Sequence, residues 1–434
     1  MRKKKAITLC ITLIAAIFII VGCSGTDSEN VSSNSGDTKT IKFMHLWPEG
    51  SSKTHHTIVN EIIANFEKEN EGVKVELEVL SNEQYKDKLK VLSTSNELPD
   101  VGMTWAAGFL TPYVEGNKFA PLDDLLENEL NDSFVAGTAE AYAIDGKTYG
   151  LPLELNIATI FYNKAIFAEY GLEAPKTYDE FKHIITTLND NGVAPIALGN
   201  KDRWTGSLWY MYLADRIGGA DVLTSAINRS GTFEDPALVS AAEEVQNLVE
   251  MNAFVKGFNG LADEEAKSMF MSEQAAMYLI GSWDLPNFTT NEEVPQEFRD
   301  SIGFFNFPTV DGKGDLNSHV GGPGVGLFVS EDSDVKEEAK KFVSYFVKEW
   351  GEKSVTQAGV IPATKLDADS LELPQMYIDV LNELSNATNI TLFADVQMSP
   401  QVAEVHLNMI QAIFGKEVTP DEFAKEHEDA LAAE

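Results

Sequence analysis

The chain has 434 residues, enough for a large core and more than one ordinary domain. Acids outnumber bases 68 to 33, a net charge of −35, which argues against a nucleic-acid binder and against a polyanionic substrate. Both cysteines, Cys10 and Cys23, lie near the start, so the rest of the chain has no disulfide framework, zinc knuckle, iron–sulfur cluster or cysteine nucleophile.

In chain order, residues 2–5 are basic and residues 6–21 form a 16-residue apolar run. A signal peptide over residues 1–22 fits better than a membrane-spanning helix, which needs about 20 apolar residues. The stretch Ile20-Val21-Gly22-Cys23 resembles the lipobox of bacterial lipoproteins. That resemblance implies cleavage before Cys23 and diacylation of its thiol, as with palmitate. Residues 24–40 are small, polar or charged, with Val31 the one large apolar residue. With Cys23 they read as a flexible tether, with a reach of roughly 23 Å. Two or three acyl chains give firm anchoring. The expectation is a body held by lipid to the outer face of the cytoplasmic membrane. A lysine-rich start and an acidic body favour a Gram-positive-type cell.

The body opens on an alternating strand at 40–44 and a loop at 45–52. A helix follows, with Ile58, Ile62, Ile63 and Phe66 on one face. Val73, Val75, Leu77 and Val79 alternate with polar residues as a second strand. A helix over 82–95 and a short strand at 99–103 come next. Strand–helix–strand–helix–strand predicts an α/β domain with a mostly parallel sheet, whose ligand loops lie at the strands' carboxyl ends, here 45–52, 80–83 and 104–109. Asp145-Gly146-Lys147 marks a tight turn. Residues 151–153 and 157–162 are extended and apolar. Thr177 with Glu180 forms a capping box for a helix over 177–191. Further helices are expected at 235–252, 262–272, 335–348, 400–414 and 419–432.

Several catalytic signatures are absent. Gly146-Lys147-Thr148 lacks the upstream glycine of a phosphate loop, because position 141 is Ala141. Gly322-Pro323-Gly324-Val325-Gly326 is not a dinucleotide fingerprint, and no GxSxG occurs. His55-His56 reads as a surface pair at a helix start rather than a metal site. Asp311 to Asp315 lacks the trailing glutamate of a calcium loop. No cofactor or metal is implied.

Other motifs form an ordered set. Residues 146–152 (GKTYGLP) are followed by Phe161-Tyr162-Asn163-Lys164, Gly171-Leu172 and residues 175–181 (PKTYDEF). Later come Phe270-Met271 and residues 275–283 (AAMYLIGSW). This order and spacing resembles the family 1 extracellular solute-binding proteins of ABC sugar importers, from about residue 40 to the C-terminus. The resemblance implies an α/β, two-lobe periplasmic-binding-protein-like fold of class II type. Two or three crossover segments would hinge the lobes, near 151–153, 318–323 and 350–356. The lobes would comprise 41–151 plus 322–352, and 152–321 plus 353–434. The helix at 335–348 would then belong to the N-terminal lobe. An oligosaccharide would sit in the interlobe cleft for delivery to the importer's permease subunits. A monomer without catalysis is expected.

The residues suit a sugar independently. Sugar rings present apolar faces and polar rims, which call for aromatic plates and planar polar groups. Trp47, followed by Glu49, lies in the first strand-end loop, and Trp105 follows the third strand. Trp204 sits in a polar loop with Asp202, and Trp283-Asp284 ends an apolar strand. Trp209 and Trp350 read as core. Glu154 and Asn156 alternate outward from Leu153 and Leu155, and the resemblance implies a cleft-facing carboxylate about here; either residue suits. Glu83 faces the cleft or complements a helix dipole. Gly322 lets backbone approach ligand or serves a hinge turn. Phe393 and Asp395 lie in a late loop, where some family members place an aromatic plate and an acid.

Two other readings remain open. A surface glycosidase needs two carboxylates about 5.5 or 6.5–9.5 Å apart, and Glu154 with Asp284 is the pair that the sequence leaves open for such a spacing. On the same scaffold a polyamine would also suit acids and aromatics. An anionic ligand would want cleft arginines, and Arg203 is the one candidate.

Overall fold

A computed structural model describes residues 38–366 and 371–434; the signal peptide, Cys23 and residues 24–37 of the tether lie outside the described residues. The first strand, β1 (Lys39–His45), includes Lys39 and Thr40, which the sequence assigned to the tether. Lys39 pairs with Val73, which fixes the register of β1 on β2 (Val73–Val79). Between them the helix Lys53–Glu69 buries Ile58, Ile62, Ile63 and Phe66, as their spacing predicts. The helix Asn82–Ser95 and β3 (Val101–Thr104) complete the parallel unit.

The remaining strands are β4 (Ala143–Ile144), β5 (Lys147–Thr148), β6 (Leu151–Pro152), β7 (Leu155–Asn163), β8 (Ala194–Ala197) and β9 (Ala275–Gly281), then β10 (Ile302–Phe305), β11 (Ser318–Pro323), β12 (Gly326–Val329) and β13 (Asn389–Thr391). Asp145 and Gly146 carry φ of +50° and +77°, the two positive values of the tight hairpin between β4 and β5.

The fold is two α/β lobes. One sheet runs β2-β1-β3-β12-β6 and the other β13-β11-β7-β9-β8, with β10 beside β7. The first is parallel across β2-β1-β3, as expected, and antiparallel where β12 and β6 join it; the second is mainly antiparallel. β12 enters the first sheet antiparallel to β3 and to β6, because it arrives from the other lobe rather than through a crossover helix. In the second sheet β7 runs antiparallel to β9, β10 and β11.

Each sheet has its own core. Phe342 and Phe346 of the helix Lys336–Lys353 pack edge-on against Phe43 of β1 at 5.5 and 5.7 Å. Trp209, fully buried, packs among Phe181, Phe254 and Phe307 in the other. Its helix, Trp204–Gly218, is one the sequence did not reveal. Residues 208–214 are uninterruptedly apolar or aromatic and buried on every side, so they show no helical period.

Three segments lie side by side between the lobes. Leu153 N donates to Val325 O at 2.9 Å, and Ala363 N donates to Leu153 O at 3.1 Å. Gly324 N donates to Glu154 O at 2.8 Å, and Leu155 N to Ile361 O at 3.0 Å. The chain thus passes from β6 to β7, from β11 to β12, and from the helix Lys336–Lys353 through a turn at Ser354–Ala358 to Ile361.

Candidate functional site

A cavity of about 590 Å³ lies against these crossings and is bordered by residues of both lobes. That size falls in the ordinary range for small-molecule sites. Its aromatic wall is built by two local features. β9 ends in a tight turn at Ser282–Asp284, which turns Trp283 toward the cavity. A side chain at Gly281 would sit 2.0 Å from the Trp283 ring, so only glycine lets the indole fold back there. Trp204 opens the buried helix rather than lying in a loop, directly after Arg203 at φ +66°. Trp204 and Trp283 meet edge to face at 5.9 Å and 63°, and Trp283 meets Phe393 likewise at 5.9 Å and 65°. Steeply inclined plates of this kind can hold successive sugar rings by their apolar faces.

The polar wall is equally built. Glu154 is buried, with His55 Nε2 at 3.3 Å and Asn156 Nδ2 at 3.4 Å. Asn156 Oδ1 accepts from Ser282 Oγ at 2.9 Å, which ties the crossing to the turn bearing Trp283. Asp284 Oδ1 faces the buried Lys267 ammonium at 3.1 Å. Burial opposes the charge on Lys267, but Asp284, Glu264 and Asp263 outweigh it and raise its pKa. Asp263 accepts from Tyr278 OH at 2.6 Å, and burial pushes its carboxyl up to about 7 against the pull of Lys267. Asp202 accepts from Asp263 N at 2.8 Å; burial raises its carboxyl, and that of Asp395 too. Asp284 Oδ2 and Trp204 Nε1 are buried without a hydrogen-bond partner among the described residues. Such atoms carry a cost that a ligand's polar groups relieve.

Of the residues singled out from sequence, Trp47, Glu83, Trp105, Glu154, Asn156, Asp202, Trp204, Trp283, Asp284, Phe393 and Asp395 border this cavity. Trp47 has one face taken, since it stacks on Trp350 at 4.5 Å and 4°. Glu83 shares its carboxylate with Lys86 at 3.3 Å, and the Lys86 ammonium lies 5.0 Å from the Trp105 ring. Two residues lie elsewhere. Glu49 is exposed and does not border the cavity. Gly322 pairs with Asn156 in the sheet and borders a separate apolar cavity near Leu392 and Tyr377. Arg203 is engaged by Glu404 at 2.8 Å and Asn408 at 2.7 Å, and among the described residues no arginine borders the cleft.

Some bordering residues carried no sequence signal. His55 is not a surface residue: it is buried, because the chain crossing brings Glu154 to it from 99 positions away. Lys267 lies in an ordinary amphipathic helix, Asp263–Met271, and only the fold places it opposite Asp284. Among the described residues no group of three or more His, Cys, Asp or Glu is placed to hold a metal ion.

The sequence profile of the bacterial extracellular solute-binding proteins matches residues 51–350. The chain belongs to this family. Relatives include an ABC transporter extracellular-binding protein of Pyrococcus horikoshii, 26% identical over 63% of this chain and 64% of its own length, which is just under two thirds. The multiple sugar-binding protein of Streptococcus mutans is 26% identical over 74% of this chain and 73% of its own. A structure solved in work on xylan utilization by the thermophile Caldanaerobius polysaccharolyticus is 32% identical, with a TM-score of 0.85 over 90% of this chain and 99% of that one. Family membership accounts for a cleft built between lobes. In this chain four lysines and eight carboxylates border the cavity, alongside the aromatic plates.

Proposed function

We propose that this solute-binding protein captures an oligosaccharide between its lobes and hands it, chemically unchanged, to the permease of an ABC importer. The edge-to-face set Trp204, Trp283 and Phe393 beside Glu154, Asn156 and Asp284 carries the reading. Aromatic plates bury sugar faces while planar carboxylates and amides pair with ring hydroxyls. The names of the streptococcal relative and of the xylan-utilization structure support the same class. The lobes divide at 41–151 plus 322–352 and 152–321 plus 353–434, and closure about the three adjacent segments at 153–155, 323–325 and 361–363 encloses the sugar. Such capture needs no reaction, so the protein is not an enzyme. It works as a monomer outside the cytoplasmic membrane of a Gram-positive-type cell, held by the lipid on Cys23. No helix among the described residues is long and apolar enough to cross a membrane.

A second reading has one observation in its favour. The eight carboxylates and four lysines around the cavity leave it net acidic, which suits a polyamine. Tryptophan fluorescence of the chain from Ser24 onward, titrated with xylotriose, chitotriose and spermidine at low and high salt, separates the two. A saturable shift with a neutral sugar, unchanged by salt, is expected. A response confined to spermidine and abolished by salt would overturn the sugar reading. Fragments of the bound sugar after prolonged incubation would overturn the absence of catalysis.

A further inference from the structure

Ser207 was not singled out from sequence, yet it borders the cleft on the same helical stripe as Trp204, Leu208 and Met211. Behind it runs a buried chain of hydrogen bonds. Ser207 Oγ lies 2.7 Å from His406 Nε2. His406 Nδ1 lies 2.9 Å from His427 Nε2, and His427 Nδ1 lies 2.7 Å from Phe423 O. All three side chains are buried.

With neutral rings, such a chain has one direction. A carbonyl only accepts, so His427 carries its proton on Nδ1 and its Nε2 accepts. His406 must then donate from Nδ1, which leaves its Nε2 as an acceptor. Ser207 therefore donates its single proton to His406, away from the cleft. The surroundings keep the rings neutral. His427 is sandwiched by Phe233 and Phe423 at 4.3 and 4.5 Å, and His406 packs on Tyr210. Burial holds His427 down at about 4 against the opposing pull of its hydrogen bond to Phe423 O and of Glu428, and burial with His427 alongside lowers His406 well below its ordinary value.

We infer that Ser207 is an acceptor-only subsite, which takes a hydrogen bond from a hydroxyl of the bound oligosaccharide and discriminates against an ether or methoxy oxygen at that position. His406 and His427 are positioning residues: they remove the rotational freedom that would let a serine donate or accept. This inference rests on the proposed oligosaccharide reading.

The experiment has a ligand-free arm and a ligand arm. NMR of the protein labelled with ¹⁵N-histidine, at neutral pH, should show His406 and His427 both neutral and both protonated on Nδ1. A neutral Nε2-protonated tautomer at either ring, or a charged ring, would overturn the inference. In the second arm, xylotriose and chitotriose are titrated into wild type and Ser207→Ala, with the mono-O-methyl ethers of whichever sugar binds. Ser207→Ala should lose about three- to tenfold in affinity, the size of one net hydrogen bond. One methyl ether should lose as much in wild type and nothing further in Ser207→Ala. If neither sugar binds wild type, the oligosaccharide reading falls and the subsite with it. If a sugar binds wild type and Ser207→Ala equally, the subsite alone falls.

Discussion

Trp204 and Trp209 stand five positions apart on one helix and meet different surroundings. Trp204 is partly exposed at the cavity wall, edge-on to Trp283, whereas Trp209 is fully enclosed by Phe181, Phe254 and Phe307. On the proposed function, Trp204→Ala and Trp283→Ala each remove a plate from the sugar. Each should weaken oligosaccharide binding by about 1–3 kcal/mol, the range for an aromatic contact at the centre of an interface. Melting temperatures should stay close to wild type. Trp209→Ala should instead cost about 3–5 kcal/mol of stability, because the cavity left behind is dry and closed on all sides. Paired thermal melts and fluorescence titrations check this. Full affinity in both cleft variants would reject the placement of the sugar on these rings.

Local elements follow local chemistry closely, and a single cap shows it. The helix Tyr178–Asp190 starts with Thr177 Oγ1 accepting from Glu180 N at 3.3 Å while Glu180 Oε2 accepts from Thr177 N at 3.0 Å. Thr177→Ala should cost about 1 kcal/mol in denaturant unfolding and leave sugar affinity unchanged, since neither residue borders the cleft. This capping box was readable because its partners lie three positions apart. The strand over 73–79 and the helix carrying Ile58 to Phe66 were readable for the same reason, as their burial repeats with the local period. The helix Trp204–Gly218 was not, because burial on all faces erases the period. The site divides in the same manner. Trp283 and Asp284 stood out because an apolar strand leads straight into them. His55 against Glu154, Lys267 against Asp284, and Ser207 against His406 join residues that only the chain crossings and helix packing bring together. Gly322 and Glu49 show the converse: a loop-like composition near a strand end does not say whether a residue faces the cleft.

Across the whole molecule, buried imidazoles set the response to acid. Burial holds His45 at about 3, with His56 adding to the effect, and holds His319 at about 4 and His427 at about 4. His406 is lowered as well. An unfolded histidine titrates near 6.5, so below that pH the unfolded chain binds more protons than the native one. Stability is therefore lost as pH falls from about 6.5 toward 4, and the loss levels off once the native rings also charge. Asp263 works the other way. Burial raises its carboxyl to about 7, so the native state takes up that proton first and gains as pH falls from about 7 toward 4, and burial raises Asp202, Glu264 and Asp395 too, each adding a gain of the same sign. Relief of repulsion in a chain of net charge −35 adds to that gain. Four lowered histidines oppose these two effects, and each unit of pKa difference is worth about 1.4 kcal/mol. The melting temperature should fall between pH 7 and about pH 4.5, the window in which the histidines titrate. A rise over the same interval, measured by calorimetry at constant ionic strength, would mean that the raised carboxyls and charge relief outweigh the imidazoles and that these rings are less sealed from water than their burial implies.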